Sequence, residues 1–195
     1  MSDRQPDHRV DSLFLERWSP RAFDGFEMPE ADLLIMFEAA RWAPSAFNSQ
    51  PWRFLYARRG ERDWERFLSL LIPWNQSWAR TASALVCILS DTLPFTDKAG
   101  EPASSHTHSY DSGAAWACFA LQASLIGYQA HGMSGVDFEK ARDELGVPER
   151  YRIEAAAVVG RVGDPAILPE RLRAREMPSG RKAVSELAFR GGWPT

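Results

Sequence analysis

The chain has 195 residues, of which 45% are hydrophobic and 25% charged, and its formal net charge is −3. These values are typical of a globular protein with a hydrophobic core, and we expect one domain over residues 1–195. The slight acidity excludes a protein that binds nucleic acid through net positive charge, and no apolar run reaches the ~18 residues that span a membrane. The first ten residues are polar and lack the apolar core of a secretory signal, so we expect a cytoplasmic location.

The N-terminal half predicts a mobile lead-in over residues 1–10, followed by helices and strands. Residues 29–43 have amphipathic helical spacing, with Pro29 suited to the first helical position and Pro44 ending the helix. We expect a strand over 52–57 and short helices over 63–71 and 75–82. The continuous apolar run at 85–89 is typical of a strand covered on both faces.

The C-terminal half begins with residues 91–110, which lack periodicity and predict a long surface loop. A helix capped by Asp111 or Ser112 is expected to run to about Ala130. It is apolar nearly all round and rich in alanine, which a central helix or a dimer interface would satisfy. Further segments predict a turn over 131–135, a helix over 137–145, and strands over 153–162 and 184–189. Because the last strand follows a charged stretch, we expect it to join a sheet of its own chain or of a partner.

Two polar clusters are candidates for ligand binding. Residues 41–54 run from a helix through a turn with Ser45, Asn48, Ser49 and Gln50 into a strand. Upstream, Arg17, Ser19 and Arg21 lie within five residues and suit an anion, most simply a phosphate.

Other candidate groups carry little signal. His106 and His108 have no nearby cysteine or carboxylate partners, so we expect no metal site. We expect Cys87 and Cys118 to be buried as small hydrophobic residues, and His131 to lie at a helix end.

These pieces together resemble the nitroreductase family of FMN-dependent oxidoreductases, over about residues 13 to 190. The resemblance depends on five segments in the same order. They are Arg17-x-Ser19-x-Arg21-x-Phe23, Ala43-Pro44-Ser45-Ala46-Phe47-Asn48-Ser49-Gln50-Pro51-Trp52, Asn75 before a strand, Met133-Ser134-Gly135, and Gly180-Arg181-Lys182.

The resemblance implies an α+β fold with a mixed β-sheet flanked by helices. It implies an intertwined homodimer, with the long helix at the interface and the C-terminal segment exchanged between subunits. Each of two sites would bind FMN with residues from both chains. NADH or NADPH would reduce FMN and leave, and a small-molecule acceptor such as a nitroaromatic or quinone would then take the hydride from FMN N5. No separate dinucleotide-binding fingerprint is present, and no catalytic acid or base is implied.

The resemblance also implies which residues bind the cofactor. The phosphate and ribityl chain would contact Arg17, Trp18, Ser19, Arg21, Arg181 and Lys182. Asn75 and the segment Met133, Ser134 and Gly135 would face the flavin ring. Pro44, Ser45, Ala46 and Asn48 would approach it from the partner, whereas Gln50 is divided between flavin contact and turn stabilisation.

One departure from the family leaves other functions open. Some members carry a lysine near the flavin N1–O2 edge, three residues after the asparagine, where this chain has Trp78. Loss of that cation leaves as an alternative a flavin-binding protein with another role, such as oxygen-dependent flavin breakdown, flavin storage or sensing. A second alternative is a non-enzymatic interaction module that uses the 112–130 helix.

Overall fold

A computed structural model describes residues 4–194, and its centre is a four-stranded sheet. The strands of this sheet and of a small hairpin are β1 (Trp52–Arg58), β2 (Ala84–Asp91), β3 (Phe95–Thr96), β4 (Pro102–Ala103), β5 (Gln129–Met133) and β6 (Tyr151–Gly160). The sheet order is β1-β2-β6-β5, and each neighbouring pair is antiparallel. The α+β class is therefore confirmed, while the parallel pair that a mixed sheet requires is not formed among residues 4–194.

Helices cover both faces of this sheet. They are α1 (Ser12–Glu16), α2 (Glu30–Arg41), α3 (Trp64–Ser69), α4 (Pro73–Ala79), α5 (His108–Leu125), α6 (Phe138–Leu145) and α7 (Glu170–Arg173). Short 3-10 helices occupy Ala46–Asn48, Pro165–Ile167 and Val184–Glu186.

The central strand β2 explains the layered core, because all eight of its residues are buried. Successive side chains of a strand point to opposite faces. Leu85 and Cys87 accordingly pack in a cluster with residues of α3 and α4, while Val86 and Ile88 pack in a second cluster with residues of α2 and α5. Burial raises the pKa of the Cys87 thiol to about 12, as a small buried side chain in an apolar cluster requires.

The helix α5 differs from the sequence-based prediction in its limits and burial. It begins at His108 and ends at Leu125, whereas the prediction placed its start at 111 or 112 and its end near 130. On one side of the helix, Ala115, Phe119 and Ala123 are buried. The opposite side is open, since Tyr110 is 80% and Leu125 62% exposed. Within one chain the helix is therefore not buried on all sides.

Three further predictions were wrong. Residues 129–133 form the edge strand β5, where the end of the long helix and the first part of a turn over 131–135 were expected, so His131 lies in a strand and not at a helix end. The loop over 91–110 contains the β3–β4 hairpin. Residues 184–189 form no strand, because their alternating pattern finds no neighbour among residues 4–194, and a 3-10 helix occupies 184–186.

The two ends of the described chain are connected. Arg4 Nε donates to the carbonyl of Ser179 at 2.9 Å, and the backbone N–H of Val184 donates to Asp7 Oδ2 at 2.7 Å. The predicted mobile lead-in covers residues 1–10, of which 1–3 lie outside the described part. The remainder is fixed to the C-terminal segment at these two points.

Candidate functional site

An open groove of about 640 Å³ lies between α1, the exposed side of α5 and the sheet edge formed by β5 and β6. Four of the predicted site residues line it: Arg17, Ser19, Met133 and Ser134. Its central wall is apolar, with Trp116 and Leu121 from α5. The groove therefore offers a long apolar surface with polar groups toward its ends.

Basic residues from distant parts of the sequence meet at the Arg17 end of the groove. Partial burial, and after it the nearby charges of Arg181 and Arg4, lower the pKa of Arg17. Among residues 4–194, Arg181 bonds to its own loop alone, through Ser179 and Gly180. Neither Arg17 nor Arg181 has a carboxylate within ion-pair distance in this part of the chain. Two nearby guanidinium groups without such a carboxylate favour an anion.

Arg4 is a member of this cluster that sequence reasoning missed. Its Nη1 donates to the carbonyls of Leu15 and Arg17 at 2.9 and 2.8 Å, in addition to the bond from Nε to Ser179. One side chain thereby joins the N-terminal segment, the Arg17 segment and the segment that carries Arg181. A lone arginine in a polar lead-in has no motif that could have indicated this.

Arg21 and Trp18 have structural partners of their own. The backbone N–H groups of Arg21 and Ala22 donate to Glu176 Oε1 at 2.6 and 2.9 Å, and Arg21 Nη1 lies 3.7 Å from Glu176 Oε2. The backbone N–H of Trp18 donates to Gln129 Oε1 at 3.1 Å. The charge of Arg21 is therefore balanced by that of Glu176. The backbone of Trp18 binds the segment that carries Arg17 and Ser19 to β5.

The segment 133–135 is held by α4. Asn75 Nδ2 donates to the carbonyl of Gly135 at 3.1 Å, while Asn75 Oδ1 accepts no hydrogen bond from the described residues. A Cβ on Gly135 would collide with the Asn75 amide and lie 2.8 Å from Ile72 Cδ1. Glycine is needed here for close packing against α4, and the packing fixes where the backbone of Ser134 meets the groove.

The loop with Pro44, Ser45, Ala46 and Asn48 does not line the groove of its own chain. The backbone N–H of Ala46 donates to Asp111 Oδ2 at 3.2 Å, and Gln50 Nε2 donates to the Asn48 carbonyl at 3.1 Å. Gln50 therefore stabilises the turn.

The same loop is strained and exposed at its tip. Phe47, Asn48 and Gln50 all have positive φ, at 51°, 55° and 46°, which costs energy for residues other than glycine. Phe47 is 94% exposed. An apolar ring held out on a strained loop is typical of a contact surface.

Lys182 is exposed and forms no hydrogen bond or ion pair with residues 4–194, so the structure gives it no defined role.

Trp78 is buried, at 2% exposure, and its ring packs on His131 with centroids 4.7 Å apart. Its Nε1 has no hydrogen-bond partner in the described part of the chain. His131 Nδ1 lies 2.8 Å from the Pro20 carbonyl, which makes this nitrogen the protonated donor, and burial lowers the pKa of the imidazole. This position therefore supplies no cation.

Within residues 4–194, no group of three or more histidine, cysteine or acidic side chains is placed to hold a metal ion. Across the same residues, no helix has the length and apolar character needed to cross a membrane.

A layered α+β fold with an arginine-ended groove beside an edge strand defines a protein that can hold a long ligand with an anionic end. Comparison with known proteins assigns the family. The Nitroreductase family model matches residues 15–72. A Streptomyces coelicolor protein with the provisional name NADH dehydrogenase/NAD(P)H nitroreductase is 30% identical over 65% of this chain and 69% of its own. The chain belongs to the nitroreductase family.

Two further similarities are informative. A crystal structure of an oxidoreductase containing FMN is 45% identical, with a TM-score of 0.96 over 100% of this chain and 98% of that one. The CLA biosynthesis enone reductase of Lactiplantibacillus plantarum is 25% identical over 84% of this chain and 90% of its own. The resemblance stated from the sequence motifs is thereby confirmed at the level of the family.

Proposed function

We propose that the protein is an FMN-dependent oxidoreductase that passes a hydride from NADH or NADPH to a nitroaromatic, a quinone or another conjugated acceptor in a ping-pong cycle. The observation that carries this proposal is that Arg17 lines the groove and that the bonds of Arg4 to Ser179 and Arg17 bring the loop of Arg181 near it, while neither Arg17 nor Arg181 has a carboxylate within ion-pair distance among residues 4–194. The similar oxidoreductase that contains FMN supports the choice of cofactor.

The residues of the groove fit FMN. A phosphate monoester matches the guanidinium groups of Arg17 and Arg181, which would bind it through charge-assisted hydrogen bonds. Ser19 lines the same groove, and its hydroxyl would form a hydrogen bond with the ribityl chain. The flavin ring would lie against Met133 and Ser134, near the unpartnered Asn75 Oδ1.

When bound, FMN would supply the hydride chemistry of the reaction. The chain's own residues would bind and orient it. The Arg17 end would anchor the phosphate, the fixed segment 133–135 would position the ring, and Trp116 and Leu121 would keep water from the apolar wall. The donor and the acceptor would use the same groove in turn.

A homodimer completes this proposal. The exposed side of α5, from Tyr110 to Leu125, borders the groove. A second copy packed against it would therefore close the open side of the groove in each of the two subunits. The strained loop 44–48 would then reach the partner's groove, and the segment after Leu172, which is largely exposed, would cross to the partner. We propose a cytoplasmic location and one domain for each chain.

The experiment is a spectrum of the purified protein followed by anaerobic addition of NADH or NADPH. We expect flavin absorbance that is bleached by one of these donors and restored by a quinone or nitroaromatic. A colourless protein that gains no FMN on titration would overturn the proposal.

A second candidate is a flavin-binding protein with another role, such as oxygen-dependent flavin breakdown, storage or sensing. The observation in its favour is that Trp78 is buried and supplies no cation where some relatives have lysine. Steady-state oxidation of NAD(P)H with added acceptors separates the two candidates, because a binding protein would not turn over.

A further inference from the structure

The groove has a second polar end, at Glu154 of β6. The register of β2 and β6 pairs Ile88 with Ala155 and Leu89 with Ile153, so Glu154 is an extra residue without a partner on β2. This is a β-bulge, which redirects a side chain from the regular alternation. Glu154 and its neighbour Ala155 consequently both line the groove.

The carboxylate of Glu154 accepts hydrogen bonds at one oxygen only, and its other oxygen lies in an ion pair with Arg152. Ser90 Oγ and Ser109 Oγ donate to its Oε1 at 2.5 and 2.7 Å. Because the single hydroxyl proton of Ser90 is used in that bond, His108 Nδ1, at 2.7 Å, is the donor to Ser90. Oε2 accepts no hydrogen bond from residues 4–194, and Arg152 Nε lies 3.5 Å away on a largely exposed side chain. One oxygen is thus fixed by hydrogen bonds, whereas the other has an ion-pair partner on an exposed side chain but no hydrogen-bond donor among residues 4–194, so it can accept a hydrogen bond from a ligand.

A second unpartnered group lies in the same wall. Ser112 follows Ser109 by one helical turn, so both project from the same side of α5. It is 1% exposed and lines the groove, and its hydroxyl has no hydrogen-bond partner among the described residues. A buried hydroxyl without a hydrogen-bond partner lowers stability, and a ligand that accepts a hydrogen bond from it would remove that cost.

We propose that Glu154 and Ser112 form a subsite for the primary carboxamide of a planar ring. The amide N–H would donate to Glu154 Oε2, the amide C=O would accept from the Ser112 hydroxyl, and the ring would lie along the apolar wall at Trp116. A carboxylate of the same shape would be repelled by Glu154. This inference rests on the proposed function, for which it names a head group carried by a substrate that binds beside the flavin, either the donor or the acceptor.

The test compares benzamide with benzoate, which have the same shape and differ in charge. Their affinities are measured by isothermal titration with the purified protein, with and without added FMN. We expect the wild-type protein to bind benzamide at least about tenfold more tightly, because hydrogen bonds to charged groups and like-charge repulsion both favour the amide. In Glu154→Gln the ratio should fall to about twofold or less. In Glu149→Gln, a change at an exposed carboxylate outside the groove, the ratio should remain.

A second variant keeps the inference testable if Glu154→Gln folds poorly. Ser112→Ala should weaken benzamide binding about three- to tenfold while the preference for amide over acid remains, since Glu154 is intact. An unchanged ratio in Glu154→Gln, or unchanged benzamide affinity in Ser112→Ala, would overturn the subsite.

The source of the carboxamide is decided by rapid-mixing kinetics. If the head group belongs to the nicotinamide donor, Glu154→Gln raises the apparent Kd for NADH or NADPH in flavin reduction. If it belongs to the acceptor, donor binding is unchanged and a benzamide-type acceptor loses its advantage over the matching acid. A protein that never binds FMN but shows the amide preference would refute the proposed function and leave the subsite standing. A protein that binds FMN and turns over but shows no preference for benzamide over benzoate would support the proposed function and refute the subsite.

Discussion

Arg181 lies close enough to Arg17 for its charge to lower the pKa of the Arg17 guanidinium, although the two residues come from opposite ends of the chain. Two nearby cations repel each other, and among residues 4–194 no carboxylate lies within ion-pair distance of either one. An anion bound between them would relieve the repulsion, so under the proposed function the pair would link the path of the C-terminal segment to cofactor binding.

The first prediction concerns this pair. The double change Arg17→Ala with Arg181→Ala should weaken FMN binding by a factor on the order of 100 or more, since each guanidinium–phosphate contact is a charge-assisted bond. Riboflavin, which lacks the phosphate, should lose less than about threefold. Flavin fluorescence titration measures both affinities, and Arg9→Ala, at an exposed arginine of the same N-terminal region, is the control. Equal losses for FMN and riboflavin would show that the phosphate binds elsewhere.

The second prediction separates the charge of Arg4 from its hydrogen bonds. Arg4→Ala should weaken FMN binding about three- to tenfold, because the segment that carries Arg181 loses its bond at Ser179. Arg4→Lys keeps the charge but lacks the planar guanidinium that bonds three carbonyls, so it should recover only part of the loss. Hydrogen exchange at the Val184 amide should rise in both variants. Full recovery by lysine with unchanged exchange would mean that Arg4 acts by charge alone.

The sequence predicted the core elements well where a segment's own pattern decides its structure. The apolar run at 85–89 and the amphipathic helix at 29–43 are examples, because burial follows directly from their composition. The strand β5 was missed, because Gln129–Met133 contains glutamine, histidine and glycine and is a strand only through its pairing with β6. Residues 184–189 show the converse, since alternation without a neighbouring strand does not make a strand.

The site shows the same division. Arg17, Ser19, Met133 and Ser134 were found through motifs, and the structure brings them to one groove. Glu154, which we propose as a site residue, was not predicted, because its direction depends on a β-bulge and its hydrogen-bond partners come from two elements distant in sequence, β2 and α5. A local sequence pattern does not predict contacts between residues that are this far apart in the sequence.

The third prediction tests the proposed interface of α5. Leu125→Glu places a charge on an apolar position that is 62% exposed in the single chain. If a second copy covers this side, burial of the carboxylate should dissociate the dimer, with a rise in its Kd of at least about tenfold. Phe138→Glu on α6, at 41% exposure and away from the groove, is the matched control. Sedimentation velocity measures the assembly, and a wild-type monomer at all concentrations would contradict the dimer itself.

The fourth prediction is a dependence of stability on pH at Asp91. Burial acts to raise the pKa of this carboxyl, but the bonds from Arg150 Nε and Nη2, both 2.7 Å, prevail and lower it below its ordinary value of 3.8. A carboxyl with a lowered pKa in the folded state contributes stability above its unfolded pKa and loses it as the pH falls through the folded value. Wild-type stability should therefore decline as the pH falls below about 4.

Arg150→Ala should lower the free energy of unfolding at pH 7, because Asp91 then stays buried without the two bonds from the guanidinium group. Between pH 5 and pH 3, the Arg150→Ala variant should lose less stability than the wild type, because burial without the bonds from Arg150 now raises the pKa of the Asp91 carboxyl. Urea unfolding at several pH values measures both effects, with Arg62→Ala as control, at an exposed arginine that forms no ion pair with residues 4–194. Parallel stability profiles for Arg150→Ala and the wild type would contradict the assignment.

The fifth prediction uses the buried Nε1 of Trp78, which has no partner among residues 4–194. Trp78→Phe removes a desolvated donor and some packing volume, two effects of opposite sign, so the free energy of unfolding should change by less than about 1 kcal/mol. Trp78→Ala removes the whole ring from beneath His131 and should cost about 3–5 kcal/mol. Trp42→Ala, at a tryptophan that is 72% exposed, should change stability by only about 0.5 kcal/mol. A loss above about 2 kcal/mol in Trp78→Phe would contradict this prediction, since the cavity left by the smaller ring would then outweigh the gain from removing the desolvated donor.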